Sequence, residues 1–156
     1  MSMEQLESNL IYVEKLTEAA KTHEKVLTKK KEIAEKELEF AKKEREIAEI
    51  REKQHKDLLS ELKEKRKLEE EAEKLETEGD PKGKIPKIKM KIQKGGFDRD
   101  KKINKEKSNA AKREADKSKL DLKINELKKE LEELQENEKQ AWDEASDHKP
   151  ETFQEP

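Results

Sequence analysis

The stretch AAKTHEKVLTKKKEIAEKELEFAKKEREIA, residues 19–48, decides the fold, because adjacent apolar pairs recur in it every seven residues. A helix places residues seven apart on nearly the same face, so these pairs form one narrow stripe. A repeat of seven rather than 7.2 predicts a left-handed coiled coil. The pairs begin at Ala19, Val26, Ile33, Phe40 and Ile47.

The repeat extends in both directions and predicts a first coiled-coil helix over residues 1–78, about 110 Å long. No Pro or Gly occurs between Met3 and Thr77. His55 is the one polar member of the longer series, and we expect it to set the register. That series is Leu6, Val13, Ala20, Leu27, Ala34, Ala41, Ala48, His55 and Leu62.

The composition excludes an ordinary globular core. Apolar residues make up 29% of the 156 residues and aromatic residues 3%, against roughly 45–50% apolar in typical domains. Charged residues make up 50%, and there is no Cys, which excludes disulfides and thiolate metal sites. Long helices that share a thin seam have no pocket for chemistry. We therefore predict a protein that is not an enzyme, with no catalytic, cofactor-binding or metal-binding residues.

Residues 79–100 interrupt the helical pattern and are predicted to form a basic tip. Gly79-Asp80-Pro81 ends the first helix, because Gly caps a helix and Pro prevents its continuation. The segment Ile88-Lys89-Met90-Lys91-Ile92 alternates with period two, which predicts a short β-strand ended by Gly95-Gly96. Asp98 or Asp100 would then cap the next helix.

A second coiled-coil helix is predicted over residues 101–145, followed by a flexible tail at 146–156. Spacings of four and three characterise its apolar residues, as at coiled-coil core positions. The best stretch is Leu120, Ile124, Leu127, Leu131 and Leu134.

The two helices are predicted to pair antiparallel with facing residue numbers that sum to about 178. In that register Leu75 faces Ile103 and Leu59 faces Leu120, so apolar residues meet apolar residues. A continuous parallel rod interrupted by a loop is the alternative. The predicted fold is thus all-α, a long antiparallel coiled-coil hairpin with a short β-like basic tip, and oligomeric.

This register leaves about 30 N-terminal residues without a partner helix. An exposed apolar stripe of that length favours self-association, with a homodimer as the first expectation. The residues predicted to mediate it are Leu6, Leu10, Val13, Leu16 and Ala20.

The middle of the chain is basic, although the net charge is only −2. Residues 80–119 contain 15 basic and six acidic residues, and both flanking segments are net acidic. Such a zone favours weak, sequence-independent contact with nucleic acid, or tethering to an anionic membrane surface. Alternatively, lysines on a lone strand only discourage aggregation at its edge. The residues predicted to contact a polyanion are Lys82, Lys84, Lys87, Lys89, Lys91 and Lys94.

The segment Gly83-Lys84-Ile85-Pro86-Lys87-Ile88, followed downstream by Ala110-Ala111, resembles the turn of helical-hairpin arms in ribosome-associated ATPases of the ABC-F family. The resemblance covers about 30 residues and implies a nucleic-acid- or ribosome-associated module. The phosphate-binding loop of those ATPases has no counterpart in this sequence.

These observations predict a coiled-coil structural or adaptor protein that self-associates and presents its basic tip to another protein. The alternative is a nucleic-acid- or ribosome-associated module that uses the same tip. No apolar run approaches the ~20 residues of a transmembrane helix, and the N-terminus lacks the features of a secretory signal. We therefore expect a cytoplasmic or virion-interior location.

Overall fold

A computed structural model describes residues 1–155 and consists of two long helices that pack against each other as a hairpin. Helix α1 spans Met3–Glu78 and helix α2 spans Lys84–Asp147. No strand occurs among the described residues. The all-α hairpin expected from the heptad pattern is therefore confirmed, and the strand expected at Ile88–Ile92 is wrong.

Only one of the two apolar series of α1 forms the seam with α2. Ala19, Val26, Ile33 and Ile47 are buried, each at most 7% exposed. The series that starts one residue later stays on the surface, where Leu27 is 50% exposed. His55 belongs to this exposed series, and its ring Nδ1 donates a hydrogen bond to the carbonyl oxygen of Arg51. The expectation that His55 sets the seam register is therefore wrong.

The chain reverses within five residues, Gly79 to Gly83. Gly79 and Gly83 have φ angles of 99° and 64°, which favour glycine, and the Gly79 N–H donates to the carbonyl oxygen of Leu75. The Asp80 carboxylate accepts hydrogen bonds from the backbone N–H groups of Lys84 and Ile85, at 2.7 and 3.0 Å. It thereby caps the first turn of α2 while Pro81 prevents continuation of α1.

The segment predicted as a strand is helical because its isoleucines also fit a helical face. Ile85, Ile88 and Ile92 are three and four residues apart, and all three are buried or half-buried. Met90 produced the apparent alternation, yet its side chain is 70% exposed. Pro86 lies in the first turn of α2, where a backbone N–H has no intrahelical acceptor.

The contacts divide the chain into two compact units. One contains residues 1–40 and the chain from Lys119 onward, and pairs the start of α1 with the end of α2. The other contains residues 41–118, including the turn. Within each unit the two helices pair antiparallel.

Ion pairs between the helices define the register in each unit. In the first unit Lys15 pairs with Glu144 at 3.0 Å and Lys29 with Glu130 at 2.8 Å; both number pairs sum to 159. In the second unit the same sum recurs, for Asp57 and Lys102 at 2.9 Å and for Lys43 and Asp116 at 4.0 Å.

Pairs on the other flank of the seam sum to 165, as for Glu37–Lys128 in the first unit and Arg51–Glu114 in the second. In an antiparallel hairpin, the numbers of facing residues sum to twice the number of the residue at the centre of the turn. The mean of the two sums is 162, which places that centre at Pro81. The predicted sum of about 178 is therefore wrong. It assumed that the second helix begins at Lys101, whereas α2 begins 17 residues earlier.

The predicted unpaired overhang of about 30 residues is also wrong. Ala145 is 1% exposed, so the end of α2 is covered by α1. Beyond α2, the rings of Phe153 and Tyr12 meet edge to face with centroids 5.3 Å apart. The Asn9 side-chain amide donates to the carbonyl oxygen of Gln154 at 3.2 Å. Phe153 and Gln154, which lie in the segment predicted to be a flexible tail, thus contact the start of α1.

The glycines provide a test of where the helices end. Gly79→Ala should destabilise the hairpin by about 1–2 kcal/mol, because a φ of 99° strains any residue with a Cβ. Gly95→Ala should instead stabilise it by about 0.5–1 kcal/mol, since Gly95 lies inside α2 with nothing near its Cβ position. Urea unfolding measures both. Destabilisation by Gly95→Ala would contradict a helix through residue 95.

Crosslinking within one chain tests the register. Cysteines introduced at Lys29 and Glu130 should be joined by a short bismaleimide, because these side chains form an ion pair. The control pair, Ala34 and Glu144, sums to 178 and should not be joined, since Glu144 pairs with Lys15, about 28 Å from Ala34 along the helix. Mass spectrometry at low protein concentration separates the two outcomes; the reverse pattern would restore the register predicted from the sequence.

Candidate interaction surfaces

An apolar stripe on α1 remains uncovered in both units. Near the start of α1 its large side chains are Leu6, Leu10 and Val13, which are 47%, 56% and 42% exposed. Ala20 is also exposed, whereas Leu16 is half-buried at the edge of the seam. Four of the five residues predicted to mediate self-association therefore share an exposed surface. The stripe continues through Leu27 and Leu38 in the first unit and Leu59 and Leu62 in the second.

The helical geometry explains why one helix cannot cover both series. Successive residues are rotated by about 100° around a helix. When Val26 points into the seam, Leu27 therefore points well away from it, and the same holds at each repeat. The exposed series is a second coiled-coil-like face rather than a continuation of the first.

The lysines predicted as one tip are separated by the helical conformation of residues 84–100. Lys82 lies in the turn, and Lys89 points toward α1, where its Nζ is 4.0 Å from Glu76 Oε1. The other four predicted lysines are three and four residues apart, which places them on one face of α2. They are Lys84, Lys87, Lys91 and Lys94, and all are exposed.

Three further lysines extend this face. Lys101, Lys105 and Lys112 are exposed and follow Lys94 at intervals of seven, four and seven residues. Intervals of three, four and seven keep side chains on the same side of a helix. The signal was present in the sequence, but assigning residues 88–92 to a strand concealed it. We call the seven residues the lysine stripe: Lys84, Lys87, Lys91, Lys94, Lys101, Lys105 and Lys112.

Most acidic residues of the segment 84–118 of α2 lie outside the lysine stripe. Residues 84–118 contain 13 basic and five acidic residues, a net charge of +8. Glu114 and Asp116 pair with Arg51 and Lys43 of α1. The pKa of Lys102 is raised chiefly by its hydrogen bond to Asp57 of α1, and the charge of the half-buried Glu106 adds to this. Asp98 is the one acid within the lysine stripe, so six net positive charges remain on that face.

The cross-helix pairs perturb the ionisation of their members. The Lys29 ammonium lowers the pKa of Glu130, chiefly by a hydrogen bond, and the Lys15 ammonium does the same for Glu144. The Lys102 ammonium lowers the pKa of Asp57, whose Oδ2 atom is enclosed. Hydrogen bonds from the backbone N–H groups of Ile85 and Lys84 lower the pKa of Asp80. These carboxylates are structural, since each is occupied by a partner in the hairpin.

Each unit has a groove open to solvent, and the one in the first unit, of about 670 Å³, is lined mostly by charged side chains of α1. A groove of about 390 Å³ lies where Gly95 and Gly96 lack side chains, with acidic Glu61 and Glu64 beside basic Lys65, Lys91 and Arg99. Among residues 1–155 no group of three or more Asp, Glu or His side chains is placed to hold a metal ion. Neither described helix contains a segment long and apolar enough to cross a membrane.

One small polar cluster lies on the seam of the first unit. The Glu138 carboxylate is hydrogen-bonded to the His23 ring and accepts a hydrogen bond from the indole N–H of Trp142 at 3.3 Å. This places Trp142 beside His23, whereas the predicted sum of about 178 would have placed it opposite Lys36. The cluster ties α1 to α2 and needs no ligand to explain it.

Comparison with known proteins identifies no relative: no family model, curated protein or solved structure matches the chain. The resemblance to ATPase arms is therefore unsupported, and function has to be inferred from the two surfaces.

The paired carboxylates predict acid sensitivity. Because their pKa values are lowered in the folded state, they contribute stability above their unfolded pKa values near 4, and this contribution is lost as pH falls through the folded values. The melting temperature followed by circular dichroism should be flat between pH 8 and 5 and fall below about pH 4. Salt at 0.5 M should reduce the effect by screening.

Two matched variants distinguish the loss of a cross-helix ion pair from the loss of any negative charge. Glu130→Gln removes a paired carboxylate and should lower the melting temperature at pH 7, whereas at pH 3 it should match the wild type. Glu35→Gln removes the charge of an exposed residue and should change neither value. Equal effects of the two variants at pH 7 would contradict a stabilising pair at Glu130.

Proposed function

We propose that this protein is a non-enzymatic coiled-coil structural or adaptor protein that self-associates through α1 and presents the basic side of α2 to a partner. The observation that carries the proposal is the exposed heptad stripe of α1. It repeats at the spacing of the buried seam, and its described residues stay exposed within each unit.

The small core supports an assembly. The buried apolar residues number only nine among those described. A protein with so little core gains much from covering a further apolar surface, since each large side chain fully buried contributes about 1.5–3 kcal/mol.

A second copy of the same chain is the proposed occupant of the stripe. A two-fold axis brings the same surface patch of two copies together, so one exposed stripe is sufficient for a dimer. The residues proposed at its centre in the first unit are Leu6, Leu10, Val13 and Ala20, with Leu16 at the edge.

The triple variant Leu6→Ser, Leu10→Ser and Val13→Ser tests self-association. These side chains are about half exposed in the hairpin, so the variant should still fold. Loss of their burial between copies should weaken the dimer at least a hundredfold, or about 2.7 kcal/mol. Sedimentation velocity between 1 and 100 μM measures the shift from dimer to monomer.

The matched control replaces three exposed apolar residues of α2, with Met90→Ser, Phe97→Ser and Leu122→Ser. It should leave the dimer unchanged, because none of these residues lies on the α1 stripe. Wild-type protein that remains monomeric at 100 μM would refute the proposal, as would a dimer that responds equally to both variants.

A further inference from the structure

We propose that the lysine stripe is a binding surface for the phosphate backbone of double-stranded nucleic acid. The inference rests on the proposed adaptor role, for which it names the class of partner. It differs from a basic tip: Lys82 and Lys89 lie outside the surface, whereas Lys101, Lys105 and Lys112 belong to it.

The length of the stripe fits a duplex. From Lys84 to Lys112 it extends over 28 helical steps, or about 42 Å at 1.5 Å per residue. A duplex advances 3.4 Å per base pair along each strand, so the stripe spans about 12 base pairs. This slightly exceeds one helical turn, so a straight row of cations meets the backbones of both strands.

The charges of the stripe are available to a ligand. All seven lysines are exposed. No carboxylate described in the structure lies within ion-pair distance of any of the seven ammonium groups, whereas many lysines of the seam are paired. Binding of phosphate therefore breaks no ion pair of the hairpin. Asp98 lies within the stripe and would oppose binding there, so the strongest contacts are expected on either side of it.

The chemistry of the stripe favours a duplex over other polyanions. Binding of single strands relies on stacking against aromatic side chains, and Phe97 is the one aromatic residue on this part of α2. A helix that lies in a membrane interface presents many large apolar side chains. Here Met90 and Phe97 are the only exposed large apolar residues recorded between Lys84 and Lys112. A duplex presents its phosphates in a rigid array, so aligned cations are sufficient to bind it.

Binding through lysines alone is independent of base sequence. Base readout requires side chains that reach into the major groove to the base edges, whereas a row of lysines laid along the backbones meets phosphates as point charges. Displacement of condensed counterions then dominates the affinity. Seven contacts predict a slope of about −6 in a plot of log affinity against log salt concentration.

The experiment uses fluorescence anisotropy with the full-length protein and a labelled 24-base-pair DNA duplex of arbitrary sequence, at 50–200 mM salt. Lys87→Gln, Lys91→Gln and Lys94→Gln together should weaken binding at least tenfold at 100 mM salt and reduce the size of the salt slope by about 3. Gln is a good helix former, so the helix content measured by circular dichroism should not change.

The matched control removes the same charge from the same region off the stripe, with Lys82→Gln, Lys89→Gln and Lys107→Gln. It should weaken binding less than threefold. An equal loss in both triple variants would show diffuse attraction and overturn the proposal. Absence of duplex binding at 50 mM salt would also overturn it, as would tighter binding to a single strand or to vesicles containing anionic lipid.

Sedimentation of the same variants separates this inference from the proposed function. Both lysine variants should keep the wild-type assembly state, because the lysines lie on α2 and the apolar stripe on α1. A monomeric wild type that binds the duplex would refute self-association and leave the stripe intact. A dimer that binds no duplex would refute the stripe alone.

Discussion

The capped reversal at residues 79–83 is the constraint on which the rest of the molecule depends. Two glycines with positive φ end α1 and turn the chain, and the Asp80 carboxylate starts α2 by accepting two backbone hydrogen bonds. Because both helices are continuous from this point, the turn fixes which residues face each other in each unit. It also determines which face of α2 carries each lysine and how far α2 extends along α1.

Charge pairing follows from that register and then reinforces it. Four of the five pairs that sum to 159 lie at intervals of 14 residues on each helix, or two heptads. The fifth, Glu46–Arg113, lies three residues from Lys43–Asp116. The sign is reversed at Asp57–Lys102 and at Glu46–Arg113, where the acid is on α1. A slip of two heptads would place Asp57 opposite Asp116, and the repulsion between these two carboxylates disfavours that slip. Exposed pairs contribute little energy one by one, but their arrangement discriminates between registers that the apolar residues alone would allow.

The helices could be predicted from the sequence and their alignment could not, for a physical reason. Heptad periodicity reports which side of a helix is apolar, and this signal is strong from Ala19 to Ile47 and from Leu120 to Leu134. It is nearly unchanged when one helix slides by seven residues, so the register depends on where the turn lies. The turn was misplaced because Met90 mimicked the alternation of a strand, although Ile85, Ile88 and Ile92 also carry helical spacing.

The same error explains what was found and missed at the candidate surfaces. Leu6, Leu10 and Val13 were identified correctly as exposed, because their periodicity is independent of the register. The reason given for their exposure was wrong, since α2 reaches this region and covers the other series instead. In a short strand, lysines close in sequence would share one surface. In a helix, the lysines that share a face are those at intervals of three, four and seven residues. Lys89 is therefore separated from its neighbours and Lys112 joins residues far from it.

The two surfaces have different physical origins and therefore support different kinds of contact. On α1 one apolar series stays exposed, because α2 covers only one of the two. Burial of the exposed series is favoured by the release of water and does not depend on charge. On α2 the segment 84–118 already carries a net charge of +8 in the sequence, and pairing of Glu114 and Asp116 with α1 leaves exposed lysines on the opposite side. A net charge of −2 consequently says little about what such a protein attracts. The attraction is set by the face that folding leaves unpaired, and here that face is positive.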